Sequence, residues 1–210
     1  MPMKRILSAA LVGAVCLLSL TSCKKTSPVP DMDPHNVTPS TGGEAAAPQP
    51  GGNRNPLTGV TGYNGPAGAR PISIMIPNDK TARPQVGLDQ ADLYVEAETE
   101  GGITRIMATF ADVSLVPEKL APIRSARTPF LMLAQSLDSL YVHWGDSVAA
   151  RERFHSSGMD HIDAMYVTDG TFWRDAELKK TRDTEHSSMT GGPKLQAYIE
   201  KKNLRSTTST

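Results

Sequence analysis

Two arginines three positions apart, Arg124 and Arg127 in "PIRSAR" (residues 122–127), are the side chains of this sequence best suited to hold an anion. A guanidinium presents a planar fork of donors that meets a carboxylate or phosphate bidentately. Thr128-Pro129 reads as a helix start with Thr128 as its cap, and the exposed N–H groups of such a start favour negative charge. The two arginines also have a use inside the fold. Glu96, Glu98 and Glu100 of "YVEAETEGG" would pair with them and tie a hairpin to a helix.

A second constellation is nucleophilic. Gly145-Asp146-Ser147 stands where a strand gives way to a helix, and "DTEH" supplies Asp183 and His186. Ser147, Asp183 and His186 would then form the triad of a GDSL-type hydrolase. The spacing opposes it, because the GDS of such enzymes opens the domain and no Gly-x-Asn-Asp block follows here. The simpler expectation is that Asp146 or Ser147 caps the helix beginning near Val148.

His143, His155, His161 and His186 show no close metal-ligand spacing, although His161 and Asp163 would share one face of a strand. Neither a metal nor a cofactor is expected. Trp144 in "HWG" and Trp173 in "FWRD" are either core residues or, if exposed, platforms for a sugar ring.

The elements that position these residues follow from pattern. "RPISIMI" (70–76) is a β-branched apolar run ending at Pro77-Asn78-Asp79, hence a buried strand. "DLYVEAE" and "ITRIMATF" flank Thr99-Glu100-Gly101-Gly102 as a hairpin, with the register of the second strand left open because its apolar residues do not alternate cleanly. Residues 128–137 carry helical spacing, 139–145 read as a strand, and 146–158 read as a helix closed by Gly158. Residues 161–167 form another strand, and 191–203 an amphipathic helix with its cations late. Strands and helices alternate, so the fold class is α/β, a mixed β-sheet with packed helices.

The chain has 210 residues, and its 22 lysines and arginines balance 22 aspartates and glutamates. Basic residues are scattered among acids, which argues against a nucleic-acid partner. Lys4 and Arg5 precede an apolar run from Ile6 to about Leu20, and Leu20-Thr21-Ser22-Cys23 has the pattern of a bacterial lipobox. Residues 1–22 therefore read as a lipoprotein signal peptide, with diacylglycerol attached to Cys23, which becomes the mature N-terminus. Cys16 leaves with the signal, so no disulfide is expected. Residues 23–54, rich in Pro, Gly, Ser and Thr, read as a flexible tether spanning on the order of 30 Å. The folded domain is placed at 55–204, with a polar tail at 205–210.

"NPLTG", "RPISIMIPN", "ARPQVGLDQADLYVEAETEGGITR", "APIRSAR", "LYVHWG" and "FWRD" occur in that order, and on these blocks the chain resembles the YerB-like family of bacterial lipoproteins, defined by a domain of unknown function. The resemblance covers about residues 55–204. Members usually continue into a second conserved region, and "NLRSTTST" reads as the end of a shortened version. The resemblance implies a lipid-anchored protein on the extracytoplasmic face of the cell membrane. From these blocks, Arg124 and Arg127 are expected to hold an anionic group, with Glu96, Glu100, His143, Trp144 and Arg174 lining the same cleft. The expected partners are the membrane, through the lipid, and peptidoglycan or a wall-processing enzyme, bound without turnover. The alternatives are the hydrolase above or an adaptor that presents a surface to a wall enzyme.

Overall fold

The computed structural model describes residues 53–209. The expected signal peptide, the lipidation at Cys23 and nearly all of the tether lie outside these residues.

The apolar run after Arg70 forms strand β1 (Ile72–Pro77), buried along its whole length. Every residue is buried because both faces of the strand are covered. Ile72, Ile74 and Ile76 enter one core layer, and Met75 enters the other. β2 (Leu93–Glu98) and β3 (Thr104–Phe110) form the expected hairpin, with Glu96 opposite Ile106 and Glu98 opposite Thr104. Its loop needs φ of +66° at Gly101 and +73° at Gly102, values that glycine adopts without steric cost.

β3 pairs antiparallel with β1, and β4 (Leu140–His143) pairs parallel with β1 on the other side. β5 (His161–Asp163) extends the parallel part, giving a five-stranded mixed sheet of order β2-β3-β1-β4-β5. Helix α1 (Thr128–Ser136) and helix α2 (Val148–Ser157), which joins β4 to β5, cover one face. Phe130, Leu131 and Ala134 of α1 and Ala150 and Phe154 of α2 pack there on Met75, Met107 and Tyr141. Helix α3 (Gly192–Lys201) covers the other face, with Leu195 and Ile199 on the isoleucines of β1 and on Phe110, Leu140 and Val142. Burying each such side chain contributes roughly 1.5–3 kcal/mol, which makes these two layers the main support of the fold. A two-stranded sheet, β6 (Trp173–Arg174) with β7 (Ser188–Met189), follows the main sheet in the chain.

Three local expectations are corrected. Thr128 is the first residue of α1 and not its cap. The N-cap is Arg127, whose side chain makes no capping bond. The strand expected over 161–167 stops at Asp163, because the Asp163 carboxylate accepts from Met165 N and turns the chain into a single 3₁₀ turn, Ala164–Tyr166. β4 ends at His143, because the N–H of Trp144 is taken by another segment. Among the described residues no helix is long and apolar enough to cross a membrane.

Candidate functional site

The C-terminal ends of β1, β4 and β5 lie at one edge of the sheet, since the three run parallel. β1 and β4 pair from Ile72–Leu140 to Ile74–Val142 and no further. Beyond that point the segment 124–126 enters between them. Arg124 N donates to Met75 O (2.8 Å), Trp144 N donates to Arg124 O (3.0 Å), and Ala126 N donates to Gly145 O (2.9 Å). The chain leaving β1 travels toward β2 on one side, whereas the chain leaving β4 travels through α2 toward β5 on the other. This divergence opens a crevice at the carboxyl ends of adjacent strands, the usual ligand position in open α/β sheets. The backbone of Arg124 is fixed in that crevice.

Side chains complete a cleft of about 330 Å³ that includes Arg124, Ser125, Trp144, Asp146, Arg174 and Glu185. β6 carries Arg174 over Trp144, with the guanidinium 3.9 Å from the ring centre, while Trp144 meets Phe172 edge-on at 6.0 Å. Arg174 Nη1 also donates to Thr184 O (2.6 Å) and Glu185 O (3.0 Å). Burial lowers the pKa of Arg174, and the nearby Arg124 pushes the same way, against the acids Glu185 and Asp183. Arg124 forms an ion pair with Glu185. On the far wall Arg151 binds Asp146 at 2.7 and 3.1 Å, while Met165 and Tyr166 stand exposed at the rim.

Next to the cleft, Arg127 and Arg105 share Glu100. Arg105 is buried, and its Nη1 donates to the carbonyl of Ser125. Burial first, then the charges of Arg127 and Arg124, push Arg105 down to about 10, so it remains a cation at neutral pH. The hydrogen bond from Arg127 is the main force holding Glu100 below the ordinary carboxylate range. Arg105, Arg124, Arg127 and Arg174 thus converge on one sheet edge, where the carboxylates that touch them are Glu100 and Glu185.

The structure brings together Arg124, Trp144 and Arg174, and sets Arg127 and Glu100 beside them. Glu96 stands apart. It lies on the edge strand β2, where Asn78 Nδ2 (2.6 Å) and Thr104 Oγ1 hydrogen-bond it and hold its pKa down. His143 lies fully buried beneath the α1–α2 face and does not line the cleft. Its Nδ1 is 2.7 Å from Gly145 O, an acceptor, so Nδ1 carries the proton and Nε2 accepts from His161 Nδ1 at 2.8 Å. Phe154 stacks on His161 with ring centres 3.8 Å apart. Trp144 is no open platform, because Arg174 covers a face of its ring.

The alternative triad is not assembled. Ser147 Oγ accepts from Ala150 N at 3.2 Å as the N-cap of α2. His186 meets Asp183 through Nδ1 (3.0 Å), and its Nε2 lies 3.1 Å from Asp79. The hydroxyl and the imidazole are therefore engaged with different partners. Among the described residues no cluster of three or more His, Cys, Asp or Glu side chains is placed to hold a metal ion. Sequence reasoning passed over Arg105, Glu185 and Tyr166, and weighed Asp163 only as a metal-site neighbour of His161. A signal for Arg105 was present, as the one charged residue of the strand β3.

An open cleft rich in arginine thus lies at the carboxyl edge of the mixed sheet of this α/β domain. The family model described as "Protein of unknown function (DUF3048) N-terminal domain" matches residues 57–205, and the chain belongs to that family. It is 35% identical over 150 residues to "Putative lipoprotein YerB" of Bacillus subtilis (strain 168), a match covering 71% of this chain and 44% of the relative. The crystal structure of the YerB protein from Bacillus subtilis resembles it with a TM-score of 0.67 and 32% sequence identity, over 75% of this chain and 52% of that one. The chain thus spans about half the length of the relatives it matches.

Proposed function

We propose that this is a membrane-anchored envelope protein, held by lipid on Cys23 at the extracytoplasmic face. Its cleft binds an anionic group of a wall component or of wall-processing machinery, without turnover. The lipobox and the lipoprotein designation of the Bacillus subtilis relative support the anchor. One observation carries the binding reading. Four guanidinium groups, those of Arg105, Arg124, Arg127 and Arg174, converge around a backbone segment wedged between β1 and β4, with Glu100 and Glu185 as their touching acids. Like charges gathered at a site are costly unless an anion offsets them, and arginine forks suit carboxylate and phosphate. Ser147 serves as a helix cap, which supports recognition over hydrolysis.

Co-sedimentation with isolated envelopes tests the reading. The purified domain should pellet with them, and Arg124→Ala and Arg174→Ala should each release it. Equal pelleting of all three proteins would refute the binding site.

A further inference from the structure

The arginine cluster carries two carboxylates of its own, and we propose that Glu100 and Glu185 mark two anion subsites, so that the ligand which displaces them bears at least two acidic groups. This inference rests on the anion-binding reading above and specifies its ligand class.

The asymmetry of exposure is the first argument. The side chains of Arg105, Arg127 and Arg124 are 8%, 20% and 29% exposed, whereas those of Glu100 and Glu185 are each 62% exposed. Three of the four cations are tied to backbone carbonyls, and the fourth, Arg124, has its main chain fixed between Met75 and Trp144. Arg105 is anchored on Ser125 O, Arg127 Nη1 donates to Ala126 O at 2.8 Å, and Arg174 is clamped by Thr184 O and Glu185 O. The acids reach onto them from outside, Glu100 from the glycine-rich hairpin loop and Glu185 from a 3₁₀ turn. Only the glutamate ends of these pairs are exposed, so a ligand carboxylate or phosphate can take the place of each glutamate while the largely buried arginines keep a charged partner.

The second argument is that the two pairs are separate but joined. Glu100 bridges Arg105 and Arg127, while Glu185 takes Arg124 and lies against Arg174 through its own carbonyl. The segment 124–127 carries one arginine of each pair, and Arg105 feels the charges of both Arg127 and Arg124. A ligand with one acid displaces one glutamate and leaves the other in place. A ligand with two satisfies both forks at once, with the second contact made at high effective concentration.

Calorimetric titration of the purified protein tests this. Tripolyphosphate and citrate are the probes, orthophosphate and acetate their single-group controls, and the phosphate and carboxylate arms distinguish the two chemistries. At least one polyanion should bind more tightly than its control. Glu100→Gln and Glu185→Gln should each tighten that binding by about fivefold, the factor expected from removing an exposed competing charge. Glu177→Gln, which removes an exposed acid paired with Lys180 away from the cleft, should leave it unchanged. Binding that is unaltered or weakened in the Glu100 and Glu185 variants overturns the two-subsite proposal but not the anion site. So does equal tightening by Glu177→Gln, or the failure of both polyanions to bind more tightly than their controls. Absence of binding in every protein overturns the anion site itself.

Discussion

The guanidinium of Arg174 lies 3.9 Å from the centre of the Trp144 ring, so the strand that delivers the arginine also closes a face of the indole. Arg174→Ala should uncover that face. The change should cost about 1 kcal/mol, in the range of a partly desolvated cation–π contact, and shift the Trp144 emission to longer wavelength. Fluorescence in a Trp173→Phe background isolates the signal. Unchanged emission would mean that the stack does not persist in solution.

Ser147→Ala should lower stability by about 1 kcal/mol through loss of the bond that Ser147 Oγ accepts from Ala150 N, and Ser147→Asp should restore most of it. Urea unfolding of the three proteins gives the comparison. A fluorophosphonate probe should leave Ser147 unlabelled, and covalent labelling there would reinstate the hydrolase.

The imidazole pair predicts a pH dependence. Burial is the main cause lowering both His143 and His161, and the neighbouring ring adds to the effect on His161, pushed down to about 4 from an ordinary value of 6.5. The unfolded chain then binds more protons than the native one between these values, so stability is fully present above about pH 6.5 and is lost as pH falls toward 4. Melting temperature should drop across that window, and His161→Gln should flatten the drop. A flat profile for the unmodified protein would contradict the buried neutral pair.

Cys23→Ala should release the protein from the membrane fraction, because lipid on Cys23 is the membrane signal on which the proposed location depends. Metabolic labelling with a palmitate analogue should mark the parent and spare the variant. Equal labelling of both would remove the anchor.

Much of this fold was readable where local rules decide. β1 follows from its β-branched apolar run, β4 from the short apolar and aromatic run Leu140-Tyr141-Val142, the β2–β3 hairpin from Gly101-Gly102, and α2 from its Ser147 cap and Gly158 stop. The open register of β3 has a physical cause. Both of its faces are covered, with Met107 in one core layer and Ala108 and Phe110 in the other, so no polar alternation marks an outside. The wedge at Arg124 was not legible, because its partners Met75 and Trp144 stand far away in sequence and leave no periodic trace. For the same reason Glu96 was grouped with Glu100. They lie close in the chain, but the hairpin sends Glu96 to Asn78 and Thr104 and leaves Glu100 on the loop beside Arg127. Asp163 shows a further limit, since its use of the carboxylate to turn the chain into Ala164–Tyr166 depends on local geometry that residue type alone does not reveal.

The central claim is that the Arg124 fork, and not merely its charge, binds an anion at the crevice between β1 and β4. Arg124→Lys and Arg124→Ala, each titrated with tripolyphosphate and citrate and each melted alongside the parent, test it most directly. Lysine keeps the charge but loses the planar fork. Both variants should therefore lose about tenfold or more in affinity for the anion that the parent binds, the scale of one charge-assisted hydrogen bond. Their melting temperatures should stay within a few degrees of the parent, because the displaced partner, Glu185, is largely exposed. Parent-like binding by the lysine variant, or lower melting temperatures with affinity unchanged, would make Arg124 a structural charge and contradict the account.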